Sequence, residues 1–161
     1  MTVLIVLLSI WIIATVGFFL FFYKEMKTTD TMSIKESMDL VELPIITMIN
    51  DGNKYNFIVD TGANDCLISD KCEKIICLPL KTKNEMIGIN GNKKECYTVG
   101  IDLVYKDKTF SAAFNVADID NIIDTIKTDY GVTVHGILGT KFLDRYNYVI
   151  DFKDYTIYRR K

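Results

Sequence analysis

Phe57-Ile58-Val59-Asp60-Thr61-Gly62-Ala63 is the stretch on which the reading of this chain turns. Three apolar β-formers deliver an acidic residue where a strand breaks into a glycine-containing turn. An ionised carboxylate beside apolar strand residues is disfavoured unless it is hydrogen-bonded. The Thr61 hydroxyl and the backbone N–H groups of a glycine turn can supply those bonds. Read alone, the stretch fits two roles. Asp60 either caps a turn, since Asp and Gly are common turn residues, or is a carboxylate kept for chemistry.

Working outward, Leu40–Ile49 and Tyr55–Val59 read as strands joined through Asn50-Asp51-Gly52-Asn53, whose Asp-Gly pair supplies the positive φ of a hairpin turn. Further strands are expected at Leu67–Ser69, Lys83–Ile89, Glu95–Tyr105 and Thr109–Val116, with turns at Asn90-Gly91-Asn92 and Lys106-Asp107-Lys108. Helical signals are short: Ser69–Ile76, Ile119–Lys127 after Asp118, and Thr140–Tyr146 after a glycine. The chain closes on Tyr148–Phe152 and Tyr155–Tyr158, a hairpin across Lys153-Asp154. Many short strands and few helices predict an all-β fold, a small barrel or sandwich.

A second motif lies about seventy-five residues beyond Asp60. His135-Gly136-Ile137-Leu138-Gly139-Thr140 sets two apolar residues before a glycine, ahead of a short helix. Together the two motifs resemble the aspartic protease family, whose hydrophobic-hydrophobic-Asp-Thr-Gly-Ala turn packs against a later hydrophobic-hydrophobic-Gly segment. Here these are Ile58–Ala63 and Ile137-Leu138-Gly139. The resemblance runs over roughly Leu40 to Tyr158. It is nearest to retropepsins and their single-domain cellular and bacterial-type relatives, which often close on sequences like Gly136–Leu143 and Val149-Ile150-Asp151-Phe152.

The resemblance implies a small closed barrel with one or two short helices over residues 40–161. It makes Asp60 the catalytic acid/base, Thr61 the hydroxyl that braces two active-site loops across a dimer, Gly62 a backbone contact to the carboxylate, and Ala63 a cleft-lining residue. Ile87, Gly88, Ile89, Asn90 and Gly91, in the run that begins at Met86, look like the family's flap over substrate, or like an ordinary surface hairpin. Viral members carry a carboxylate after the Ala and an Arg after the later Gly, an ion pair that braces their dimer. Asn64 and Thr140 stand there instead, which puts the viral interface in doubt. His135 is read as structural.

Val3–Phe22 is a run of twenty residues without a charge. At about 1.5 Å per residue a helix of this length covers the roughly 30 Å hydrocarbon core of a bilayer. Residues 1–23 are therefore expected to be a transmembrane anchor. A cleaved signal peptide would want a basic leading region and an A-x-A-like site, which the run lacks. Lys24 and Lys27 behind the span favour a cytoplasmic domain by the positive-inside rule, and leave the extracytoplasmic side open. The polar residues 24–39 read as a juxtamembrane linker with room for some helix.

The formal net charge of −2 lacks the basic excess that nucleic-acid binding needs, so no nucleic-acid partner is expected. Cys66, Cys72, Cys77 and Cys96 show neither zinc-site spacing nor disulfide-scaffold density. They read as small core residues, with a Cys72/Cys77 or Cys66/Cys96 bridge as the alternative. His135, the only histidine, excludes a His-rich metal site, and neither metal nor cofactor is expected. Peptide hydrolysis by two aspartates needs one as base toward a water and the other as acid toward the carbonyl oxygen. One chain carries one Asp-Thr-Gly, so a two-fold homodimer acting on a peptide or protein substrate follows. Two alternatives compete: a non-catalytic membrane-tethered peptide-binding or regulatory domain of the same fold, and a Cys-His hydrolase using Cys66 or Cys96 with His135.

Overall fold

The computed structural model describes residues 33–72, 75, 82–87 and 93–160, together with Trp11 and Thr15. The chain divides into two compact units, Met1–Thr31 and Met32–Lys161. In the first, Trp11 and Thr15 are helical, and the Thr15 hydroxyl donates to the Trp11 carbonyl at 3.0 Å. Apart from those two residues, the expected anchor lies outside the described residues. Among the described residues no helix is long and apolar enough to cross a membrane.

The second unit is a barrel. Strands β1 (Ile45–Asn50) and β2 (Asn53–Val59) form an antiparallel hairpin. It turns on Asp51 and Gly52, with φ of 46° and 76°. Strands β3 (Cys66–Ser69), β4 (Thr82–Ile87), β5 (Lys93–Tyr105) and β6 (Lys108–Ala117) follow, then the short β7 (Gly136–Leu138). The order β1-β2-β7-β3-β6-β5 closes on itself where Ile49 of β1 pairs with Val104 of β5. β4 pairs with β5 outside this ring of six strands. β8 (Tyr148–Asp151) and β9 (Thr156–Arg159) make a separate hairpin.

The unbroken apolar run before Asp60 has a physical reason in this arrangement. Phe57 and Val59 point into the barrel core with Leu138, Phe114 and Leu103. Ile58, between them, points outward into a second core with Ile45, Val41, Ile126 and Ile137. A strand buried on both faces reads as continuous hydrophobicity rather than as alternation.

Helix α1 (Ile34–Val41) takes up the end of the linker, which the sequence reading allowed to be partly helical, and displaces the strand expected from Leu40. Ser33 and Glu36 form a capping box at its start, and Glu42 ends it in the left-handed conformation. Ile34 and Val41 are buried in the two cores. The hydroxyl of Ser37, fully buried, donates to the Ile34 carbonyl at 2.9 Å and accepts from Ile45 N–H at 2.8 Å. Pro44 disfavours helix at Leu43, and the strand begins only at Ile45.

Helix α2 (Asp120–Tyr130) runs beyond the expected Lys127 to Gly131, whose φ of 72° terminates it. Helix α3 (Thr140–Arg145) lies where expected. The expected helix at Ser69–Ile76 is replaced, among its described residues, by turns. Ser69 ends β3, and bonds run from Cys72 N–H to the Ser69 carbonyl and from Ile75 N–H to the Cys72 carbonyl.

Candidate active site

The two sequence motifs meet side by side. β2 and β7 pair in parallel, with Val59 opposite Leu138, and β7 pairs antiparallel with β3 on its other edge. The chain of β2 carries straight into the turn, where Asp60 N–H donates to the Leu138 carbonyl at 3.0 Å. Gly62 N–H donates to Asp60 Oδ1 at 2.7 Å, and Ala63 N–H closes on the Asp60 carbonyl at 3.3 Å. Asp60 is half-buried, whereas Thr61 and Gly62 are exposed. The aspartate therefore stands at the rim of the barrel, with one carboxylate oxygen held by the main chain of its own turn.

The far side of the turn is fastened to α3. The Ala63 carbonyl accepts from Thr140 N–H at 2.8 Å and from its hydroxyl at 3.2 Å, and the Asn64 carbonyl accepts from Lys141 N–H at 3.0 Å. This approach requires Gly139. A Cβ there would lie 2.5 Å from the Asp65 carbonyl oxygen and 2.8 Å from those of Ala63 and Asn64. Ile137 and Leu138 divide their side chains between the outer and inner cores. The predicted catalytic turn, Asp60 to Ala63, and its predicted support, Ile137 to Gly139, thus form one assembly.

One feature of that assembly was not read from the sequence. Lys141 Nζ lies 2.6 Å from Asp65 Oδ1. The carboxylate–cation pair that Asn64 and Thr140 cannot make is present one residue further along on both segments, within a single chain. It could be found only once the two segments were aligned in space.

His135 is a structural residue. Its Nδ1 accepts from Asn56 N–H at 3.0 Å, and its own N–H donates to the Asn56 carbonyl at 2.8 Å. The ring packs edge-on against Tyr55. Burial lowers the pKa of the imidazole from its ordinary value, and an Nδ1 that accepts from Asn56 N–H suits the neutral ring. Asn56 itself is tied through its side chain to the Thr133 carbonyl at 2.9 Å and to the Thr47 hydroxyl at 2.7 Å.

Cys66 and Cys72 carry free thiols, so Cys66 and Cys96, both buried, are not bridged to each other. Cys77 lies outside the described residues. Burial pushes the thiols of Cys66 and Cys72 up to about 11, far from the thiolate that a cysteine hydrolase needs. Of the expected flap, β4 and β5 supply the two arms, with Ile87 opposite Lys93. Gly88, Ile89, Asn90 and Gly91 at its tip lie outside the described residues. Among the described residues no group of three His, Cys, Asp or Glu side chains could hold a metal ion.

A model of the aspartyl protease family matches residues 45–142, more than half of the chain and both motif segments. The chain belongs to the aspartyl protease family. Its barrel is similar to the retroviral protease-like domain of Ddi1 from Leishmania major, with a TM-score of 0.55 and 13% sequence identity over 74% of this chain and 89% of that one. EIAV protease complexed with the inhibitor HBY-793 is similar at a TM-score of 0.47 and 18% identity, over 66% of this chain and 90% of that one. The fold is retropepsin-like. No curated protein matches the chain.

Proposed function

We propose that this chain is a membrane-anchored aspartic endopeptidase that works as a homodimer, each copy supplying Asp60. The observation that carries the reading is the placement of Asp60. Its main chain is pinned to β7, one carboxylate oxygen is held by Gly62 N–H, and the turn ahead of it is exposed. A second copy docked on that turn would bring two carboxylates together around one water. Two negative charges at such a distance are not both retained, so the pair shares one proton. The ionised member takes a proton from the water as it attacks the peptide carbonyl, and the protonated member donates to the carbonyl oxygen. Thr61, exposed on the turn, would brace the partner's turn, and the β4–β5 hairpin would cover the peptide.

Residues 3–22 would hold both copies in one bilayer, with the barrel on the cytoplasmic side. A shared tether raises the effective concentration of each copy for the other, so a modest interface suffices.

The test is a mixture of wild-type and Asp60→Asn chains, co-expressed with different tags so that heterodimers are verified. If each site needs both aspartates and the chains pair at random, activity follows the square of the wild-type fraction, and an equal mixture keeps about one quarter. A linear decline despite proven heterodimers would overturn the shared site.

A further inference from the structure

A groove of about 160 Å³ opens where the start of β3, the middle of β6 and α3 meet, immediately beyond the catalytic turn. Its apolar lining comes from Cys66, Ala112, Ala113 and Phe142, and its charges are those of Asp65, Lys141 and Arg145. Lys141 and Arg145 are four residues apart on α3, the spacing that puts side chains on one helix face. The Lys141 charge is met by Asp65 at 2.6 Å.

The Arg145 charge is met by no carboxylate among the described residues. Asp144, its neighbour along the helix, faces elsewhere at that spacing. Arg145 is nonetheless held: its guanidinium lies over the Tyr146 ring, 5.6 Å from the centroid. That ring is itself fixed, its hydroxyl donating to the Ser111 carbonyl at 2.6 Å and its plane set at 80° to the neighbouring Phe110 ring. The groove therefore combines two cations and one anion, and one of the cations, the Arg145 guanidinium, is oriented but unpaired. Guanidinium matches a carboxylate bidentately, and stacking on an aromatic ring orients it for that contact.

We propose that this groove is a distal substrate subsite that takes an acidic side chain of the peptide, its carboxylate pairing with Arg145. The inference rests on the endopeptidase reading. Asp65 is five residues from Asp60, at most about 18 Å of extended chain, and Arg145 is one helical turn beyond Lys141. An acidic residue within roughly seven positions of the scissile bond can reach it.

The experiment uses the full chain in detergent, carrying Asp60→Asn so that peptide is bound without being cut. The probes are fluorescent fourteen-residue peptides, neutral apart from a single Glu walked through each position, with Gln peptides as references. At one or two positions well away from the centre, Glu is expected to bind about tenfold tighter than Gln, the size of one charge-assisted pair. In Arg145→Gln the ratio should fall to near one, and in Arg145→Glu a Lys peptide should take the place of the Glu peptide. Arg145 is exposed, and thermal melting verifies that both variants fold.

Equal binding of Glu and Gln at every position, or a preference that survives Arg145→Gln, overturns the subsite. Cleavage by the wild-type chain is scored separately. If Glu and Gln peptides are cut equally, the endopeptidase stands and the subsite falls. If the Arg145-dependent contrast is present but no peptide is cut, the groove stands as a peptide site and the endopeptidase reading falls.

Discussion

Asp60–Ala63 and Gly136–Gly139 lie side by side, yet the first segment exposes Thr61 and Gly62 while every residue of the second is buried. Their glycines differ in the same way. A Cβ on Gly62 would approach only the Asp60 carboxylate, at 3.1 Å, whereas a Cβ on Gly139 would run into three main-chain carbonyls. A Cβ on Gly136 would collide with the Leu67 carbonyl and the Phe57 ring. The segment that carries the carboxylate is loosely enclosed, and the segment beside it fixes where that carboxylate stands. Chemistry and placement are thus divided between two stretches of chain, and each should fail in its own way.

The largest expected effect comes from the placing segment. Gly139→Ala forces main chain to move on three sides, and flexible side-chain ends cannot relieve it. A destabilisation of about 3 kcal/mol or more is expected, seen as a melting point lower by about 10 °C. A variant that melts with the wild type would break the comparison at its root. In the reacting segment, Asp60→Asn should do the reverse. Proteolysis should fall by at least about a thousandfold, while stability stays within about 1 kcal/mol, because the amide oxygen still accepts from Gly62 N–H. Loss of folding in that variant would show that Asp60 is structural as well.

A third change sharpens the comparison by acting on the junction of β2 and β7. The native imidazole of His135 resists protonation, and the unfolded one titrates at the ordinary 6.5. The unfolded chain therefore binds the extra proton as pH falls. Stability from the neutral ring is complete above about pH 6.5 and is lost as pH falls from there toward the lower native value. The ring packs against Tyr55, and the Cys72 thiol, which donates to the His135 carbonyl, is pushed up to about 11 and carries no charge in that window. His135→Asn keeps an acceptor for Asn56 N–H but cannot titrate. Its stability curve, from denaturant melts between pH 4 and 8, should lack this part of the acid slope. An unchanged slope would remove His135 from the account.

The smallest effect is expected at Lys141. The pair with Asp65 joins the two segments, but its side chains are 72% and 45% exposed, and exposed pairs contribute at most about 1 kcal/mol. Lys141→Met should change stability by no more than that, and by less in high salt. A larger loss would mean that this pair, and not the main-chain bonds beside it, fastens the turn to α3.

How far the sequence carried these features depends on the range over which each is encoded. The Asp51-Gly52 turn, the β5–β6 hairpin and the Asp60–Ala63 turn are local, because a few neighbouring residues determine their backbone angles. The Ser33–Glu36 capping box was equally local. It was hidden in a polar, charged stretch whose helix is held by burying only Ile34, Ser37 and Val41, too sparse a pattern to stand out. The turns after Ser69 were read as a helix because their residues tolerate both and distant packing decides. His135 as an acceptor for Asn56, and Lys141 as the partner of Asp65, are contacts between residues 79 and 76 positions apart. Nothing in either neighbourhood announces the other.

The parallel pairing of β2 with β7 also sets a clock. A chain is made from its N-terminal side, and Asp60 emerges long before Leu138, the residue whose carbonyl holds Asp60 N–H. Between them β3 to β6 and α2 must be synthesised, and contacts of such long sequence separation form late. The Asp60 turn therefore cannot reach its folded geometry on a nascent chain. Nor can a fragment truncated before Gly136 hold Asp60 in that geometry.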